Sequence, residues 1–130
     1  MARTPQQAGK LKLILPYPPS INHYYGRRRG GGMYIKANGN DYREVVNNIV
    51  REHRPRIYMF SDPLKVIIAA ERPDKRRRDI DNIQKCALDA LEKAGVYLND
   101  CLIHDLRTYW AGFDPPFGRV VVTLQEIDAR

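Results

Sequence analysis

Apolar positions in this chain fall into short β-branched runs parted by turn residues, with two stretches of helical period between them. LKLILP, residues 11–16, is apolar-rich and stopped by proline, which predicts a strand. MYIK, residues 33–36, predicts a short strand returning from the loop before it. In ANGNDYREVVNNIVREHRP, turn residues come first. Tyr42, Val45, Val46, Ile49 and Val50 then recur at helical spacing, so a first helix is expected over residues 41–53. PLKVIIAAE, residues 63–71, is β-branched and reads as a central strand. A second helix is expected from Asp79 to Ala94, ended by Gly95. Ile80, Ile83, Ala87, Ala90, Leu91 and Ala94 share one arc of it, which should pack on the sheet. VYLND, residues 96–100, is a short loop with an apolar stem. IHDLRTYWAGF (103–113) and GRVVVTLQEI (118–127) read as the last two strands, with Asp114, Pro115, Pro116 and Phe117 punctuating the gap as in a hairpin.

The remaining stretches are irregular by composition. YPPSINHYYGRRRGGG, residues 17–32, holds two prolines, three arginines and four glycines and excludes regular structure, so a mobile basic loop is expected. MARTPQQAGK lacks the apolar stretch of a signal peptide and reads as a disordered lead-in over residues 1–10, leaving 11–130 as the folded domain. With 130 residues, 43% of them hydrophobic, the chain has one core and one domain. No apolar run approaches the ~18 residues of a membrane span, so no membrane partner is expected. Cys86 and Cys101 have no metal-ligand spacing and read as buried or half-buried thiols in a reducing cytosol. The 22 Lys+Arg against 15 Asp+Glu leave a net charge of +7, which favours a polyanionic partner, nucleic acid ahead of membrane.

One stretch gives that charge a chemistry. In ERPDKRRRDIDNIQK, Arg72, Lys75, Arg76, Arg77 and Arg78 lie within seven positions, and Asp79 and Asp81 follow at once. Each acid has an ordinary reading. Asp79 sits where an N-cap belongs, and Asp81 and Lys85 are spaced for a surface ion pair. Together, two carboxylates at a strand-to-helix junction point toward one place. If the loop after the helix folds back, Asp100 joins them. Three hard oxygen ligands of this kind suit Mg²⁺, or Mn²⁺ in its place. A cation between carboxylate and phosphate reverses the sign of the site, which explains acids beside a basic run. The chemistry implied is phosphodiester hydrolysis, with one ion lowering the pKa of a bound water and a second steadying the leaving 3′ oxygen. Lys85 is placed to orient the water or to neutralise charge in the transition state. Arg72, Lys75, Arg76, Arg77 and Arg78 would hold neighbouring phosphates, as would Arg27, Arg28 and Arg29. The D-x-D spacing with a lysine four further on also occurs by chance in many helices.

RRRDIDNIQKCALDALEKAGVYLND resembles the central motif of RusA-type Holliday junction resolvases, R-R-D-x-D-N-x-x-K followed by D-A-L and an N/D-D pair. LPYPPSINHYY resembles that family's L-P-x-P-P-S-x-N-x-x-Y opening, and the likeness covers about residues 11–127. The resemblance implies a small α+β domain: a mixed sheet of about four to five strands with two main helices, assembled as a homodimer. It implies a Mg²⁺-dependent crossover junction endodeoxyribonuclease of bacterial or phage-infected cytosol. Such enzymes nick four-way DNA junctions symmetrically in recombination and repair. It places the catalytic aspartates on Asp79, Asp81 and Asp100, the lysine on Lys85, and a supporting role on Asn82. Some members carry two adjacent aspartates where this chain has Asn99-Asp100, which leaves Asp100 the one carboxylate there.

Other residues have plainer readings. His23, His53 and His104 share no ligand spacing and read as surface or partly buried structural residues. Tyr109 and Trp110 suit core or dimer contact better than base stacking, and with Val120 to Val122 they are candidates for a dimer interface, sheet core being the competing use. Asp74 would pair with a neighbouring base, while Asp89 and Glu92 would be solvated. Three rival functions stay open at this point. One is a non-catalytic nucleic-acid-binding module, which would not need the three aspartates. Another is a metal-dependent nuclease of flaps or single strands, and the third is a structural phage or ribosome-associated protein.

Overall fold

The structure, a computed structural model, describes residues 9–20, 25–53 and 59–127. Its centre is a four-stranded mixed sheet. The strands are β1 (Lys10–Pro16), β4 (Leu64–Arg72), β5 (Ile103–Phe113) and β6 (Arg119–Glu126), in the order β1-β6-β4-β5. β6 runs antiparallel to both neighbours, and β4 and β5 are parallel. Two short strands, β2 (Tyr25–Arg27) and β3 (Met33–Ile35), pair in a separate hairpin. The helices are α1 (Ala37–Glu52) and α2 (Ile80–Lys93). This is the expected α+β architecture, with four strands in the main sheet and two main helices.

Alternation along the strands builds the core. Leu13 and Leu15 of β1, Val120, Val122 and Leu124 of β6, and Leu64, Val66, Ile68 and Ala70 of β4 are all buried. They lie opposite one another in register: Leu13 faces Val122, and Val122 faces Ile68. Side chains at every second position share one face, so these nine make a continuous apolar surface. Tyr42, Val46 and Val50 of α1 cover it together with Ile83, Cys86, Ala87, Ala90 and Leu91 of α2. The small residues Ala87 and Ala90 let α2 lie close to the sheet, while its other face stays wet.

Several expectations are corrected. β5 and β6 do not form a hairpin, because β4 lies between them. Asp114–Gly118 is a tight turn, with Gly118 N–H donating to the Asp114 carbonyl at 2.7 Å, but the chain crosses the end of β4 there. Gly118 has φ +72, and a Cβ on it would stand 2.8 Å from Pro73 Cδ and 2.9 Å from the Glu71 carbonyl, so glycine is required at this crossing. β5 is parallel to β4 because α2 carries the chain back along the sheet before β5 begins. The arginine-glycine stretch is regular in part: it is the turn of the β2–β3 hairpin, closed by Arg28 N–H on the Gly32 carbonyl at 2.9 Å. Helix α1 begins at Ala37, four residues before the expected start, because Asn38, Gly39 and Asn40 lie inside it. Gly39 is buried there, so packing overrides turn propensity. Val120 and Val122 belong to the core of the domain and not to an interface. Lys10 is already in β1, while residues 1–8 of the expected lead-in lie outside the described residues.

Candidate active site

The site is built at the two ends of the β4–α2–β5 crossover. β4 ends at Arg72, whose carbonyl accepts the Asp114 N–H at 2.8 Å. Its guanidinium carbon lies 4.7 Å from the Trp110 ring centre and 4.6 Å from that of Phe113. Arg72 was expected on phosphate. The structure stacks it instead between two rings of β5, with its buried Nε unpartnered among the described residues. Asp74 then organises the basic loop. Its carboxylate accepts the Arg76 N–H at 2.9 Å and Arg78 Nη1 at 2.6 Å, as its expected pairing requires. The Arg78 hydrogen bond is the main cause that holds the Asp74 carboxyl down to a pKa of about 2. Arg78 also lies 5.5 Å from the Tyr17 ring centre. The five bases are thereby sorted. Arg72 and Arg78 face protein, whereas Lys75, Arg76 and Arg77 are exposed.

Asp79 occupies the N-cap position of α2 in extended conformation (φ −90, ψ 130), but its side chain makes no cap hydrogen bond. Its ordinary structural role is thus unfilled. Asp81, in the first turn of α2, is exposed and makes no ion pair among the described residues, with Lys85 or any other base. From Asp81 a stripe runs down the solvent face of α2 through Lys85 and Leu88 to Glu92. This stripe and Asp100 line an open groove of about 450 Å³.

The loop that brings Asp100 back is firmly held. Val96 and Tyr97 are fully buried, and the Tyr97 hydroxyl donates to the Leu88 carbonyl. Phe60 N–H donates to the Val96 carbonyl at 2.9 Å, and Leu98 N–H to the Phe60 carbonyl at 3.1 Å. Asn99 Oδ1 accepts the Cys101 N–H at 2.9 Å and so caps the short 3₁₀ turn Asp100–Leu102. Asn99 is therefore a cap in this chain. The Asp100 N–H donates to Glu92 Oε1 at 2.9 Å, tying the turn to α2. Glu92 was expected to be solvated, as was Asp89, and both are engaged. Asp89 takes a forked pair of bonds from Arg43, at 2.8 and 3.0 Å, which joins α2 to α1.

The structure thus brings Asp81, Lys85 and Asp100 to one groove. Asp79 lines an adjoining groove of about 340 Å³, and Asn82 lines both. Among the described residues, no three of His, Cys, Asp and Glu are gathered closely enough to hold an ion by themselves. Like charges without a cation repel one another, and Mg²⁺ is commonly held by one or two carboxylates with water and phosphate completing its shell. Asp81 and Asp100, both exposed, both lining one groove and without an ion pair among the described residues, fit that requirement. Two positioning residues escape the sequence reading: Glu92, and Gln84, whose Oε1 accepts Thr108 Oγ1 at 2.8 Å and fastens α2 to β5. Gln84 was signalled by its place three residues after Asp81, on the same helix face.

Outside the grooves, Arg28 and Arg29 are exposed on the β2–β3 turn, while the Arg27 side chain and His23 lie outside the described residues. His53 Nδ1 lies 2.9 Å from the Ile49 carbonyl, as a structural histidine would, and His104 is exposed on β5. Cys86 is buried and Cys101 exposed, so the expectation of two covered thiols holds for Cys86 alone. Among the described residues no helix is long and apolar enough to cross a membrane.

Comparison with known proteins places this geometry in a family. Residues 16–125 match the family model Endodeoxyribonuclease RusA. A crossover junction endodeoxyribonuclease rusA of Enterobacteria phage HK97 is 40% identical over 120 residues, covering 92% of this chain and 98% of that protein. Crossover junction endodeoxyribonucleases of Shigella sonnei (strain Ss046) and Enterobacteria phage 82 are 44% and 43% identical over 95 residues, or 73% of this chain and 78% of theirs. The chain belongs to the RusA endodeoxyribonuclease family.

Proposed function

We propose that this protein is a divalent-metal-dependent endonuclease of the cytosol that resolves four-way DNA junctions by paired, symmetric phosphodiester hydrolysis in recombination and repair. The observation that carries the reading is the pair of carboxylates, Asp81 and Asp100, without an ion pair among the described residues and lining one groove, with the exposed Arg77 lining the groove that adjoins it. Asp79, Asp81 and Asp100 would hold Mg²⁺, with Mn²⁺ as a substitute, and Asn82 would support them. When bound, the ion activates water and offsets charge on the phosphate. Lys85, lining the same groove as Asp81, orients the attacking water or neutralises developing charge. The exposed bases anchor the flanking phosphates, as do Arg28 and Arg29, and set the register of the DNA without reading its sequence.

Two cuts of like polarity require two sites related by the junction's own symmetry, which a two-fold homodimer supplies. With Val120 and Val122 spent on the core, the edge strand β5 is the surface for it. Among the described residues no strand pairs with its outer side, and Leu106 and Phe113 are exposed.

The test is incubation with a synthetic four-way junction, a linear duplex and a flap, with and without Mg²⁺. Paired symmetric nicks in the junction, dependent on Mg²⁺ and abolished by chelation, are expected. Asp81→Asn should lose cleavage while binding the junction as well or better, since it removes a carboxylate and adds no bulk. Cutting of the flap in preference to the junction would favour a flap nuclease, and near-normal cleavage by Asp81→Asn would sink the metal-site reading.

A further inference from the structure

The groove on the other side of Asp79 differs in character from the acidic one. It runs between residues 17–20 and the start of α2, and Tyr17, Pro19, Ile83, Asn82, Asp79 and Arg77 lie along it. Its wall is fixed at two points. Tyr42 donates its hydroxyl to the Pro16 carbonyl at 2.8 Å, and the Cys86 thiol lies 3.7 Å from the Pro19 carbonyl. Tyr17 is half-buried, and its hydroxyl is buried with no hydrogen-bond partner among the described residues. A buried hydroxyl without a partner stabilises nothing, so what the residue supplies there is its ring. The rim is cationic: Arg77 is exposed, and Arg78 packs against the Tyr17 ring.

A concave site with a ring, a proline, one amide and a basic rim, about 340 Å³ in size, has the chemistry of a nucleotide subsite. Resting on the junction-cutting reading above, we propose that it takes one unpaired nucleotide next to the phosphate to be cut, with its base against Tyr17. Two features of the groove support this occupant. The rim charge complements a phosphodiester strand, and Asp79 and Asn82 make the subsite continuous with the acidic groove. A base in a linear duplex must leave a continuous stack to enter, whereas a base at a branch point, where stacking is interrupted, is freed at lower cost. The subsite therefore supplies selectivity for branched over linear DNA. Tyr17 is a specificity-determining residue in this scheme, and its loss should affect junction binding more than duplex binding.

The experiment places 2-aminopurine at each nucleotide flanking the cut in a four-way junction and reads its fluorescence on binding in EDTA, where no strand is cut. Wild type should quench the probe at one flanking position by stacking. Tyr17→Phe should quench it equally. Tyr17→Ala should lose the quench and bind the junction roughly tenfold more weakly, the size of one base–ring stack, with duplex affinity unchanged. No quench at any flanking position, or a quench that survives Tyr17→Ala, overturns the proposal. Should Tyr17→Ala fail to fold by circular dichroism, wild-type protein still decides. A junction with 5-iododeoxyuridine at the same position should photocrosslink to the peptide containing Tyr17, and crosslinks confined to other peptides overturn it. The two readings fail separately: a wild type that quenches the probe but cuts no junction in Mg²⁺ sinks the proposed activity and not the subsite.

Discussion

Replacing Glu92 asks whether Asp100 works because it is held in place. Glu92 Oε1 accepts the Asp100 N–H at 2.9 Å, and this bond joins the turn to α2. A hydrogen bond to an ionised acceptor contributes about 1.5–3 kcal/mol, and one between exposed groups deserves the lower end or less, about 1 kcal/mol. That corresponds to roughly a fivefold shift in the fraction of molecules holding the turn correctly. Glu92→Ala should therefore raise the Mg²⁺ concentration needed for half-maximal junction cleavage about fivefold. Global stability should change little, because Val96 and Tyr97 anchor the stem independently. Glu92→Gln keeps an oxygen acceptor and should sit close to wild type. The pair of variants separates positioning from direct ligation: were Glu92 itself a metal ligand, Gln would lose as much as Ala. The assay is a Mg²⁺ titration of cleavage at saturating junction, with a thermal melt alongside. An unchanged Mg²⁺ requirement in Glu92→Ala would refute the positioning role.

Binding should weaken steeply with salt, and Arg76→Ala with Arg77→Ala should flatten the slope of log affinity against log salt by about one unit per lost phosphate contact. Arg72→Ala should leave that slope alone and lower the melting temperature, since its guanidinium stacks on Trp110 and Phe113; a slope change without destabilisation would return Arg72 to the DNA footprint. At pH 8 a thiol reagent should label Cys101 quickly and Cys86 only after denaturation, because burial pushes the Cys86 thiol up to about 12 and shields it. Equal labelling rates would show that α2 is not packed as described. Light scattering at micromolar concentration should give about twice the 15.1 kDa of one chain, and Leu106→Asp should shift it toward the monomer; a wild-type monomer would refute a preformed dimer, and a dimeric Leu106→Asp would move the interface off β5.

What the sequence made legible was local. Helix α2 was readable because its apolar arc has a 3.6-residue period and its end carries a glycine, here Gly95 at φ +80. Asp79, Asp81 and Lys85 lie within seven residues, so their neighbourhood follows from helix geometry alone. Strand order was not readable in the same way. The turn residues at Asp114–Gly118 signal a reversal, and a reversal between strands normally means a hairpin. Here the gap beside β5 is already filled by β4, so β6 has to pair on the far side of β4. Nothing within residues 103–127 encodes that, since the cause lies in the β4–α2–β5 crossover some thirty residues earlier. Asp89 and Glu92 were misread for a related reason. Both sit on the polar side of α2, and their partners, Arg43 and the turn at Asp100, arrive from other elements.

The basic run shows how far composition alone can mislead about a site. Counted in sequence, five bases precede the aspartates as one charged block, and all five look equally available to phosphate. In the fold they divide by what surrounds each guanidinium or ammonium. Arg72 is taken by two rings at the end of β4, and Arg78 by Asp74 and the face of Tyr17. These two shape the loop. Its curvature throws Lys75, Arg76 and Arg77 outward, and those three are left to meet DNA. Asp74 matters to this division more than its exposure suggests. By accepting both the Arg76 N–H and the Arg78 guanidinium, it fixes where the chain enters α2. It thereby fixes where Asp79 stands relative to the two grooves. Acids and bases are neighbours in this stretch because one acid folds the bases, and the folded bases then present the other two acids.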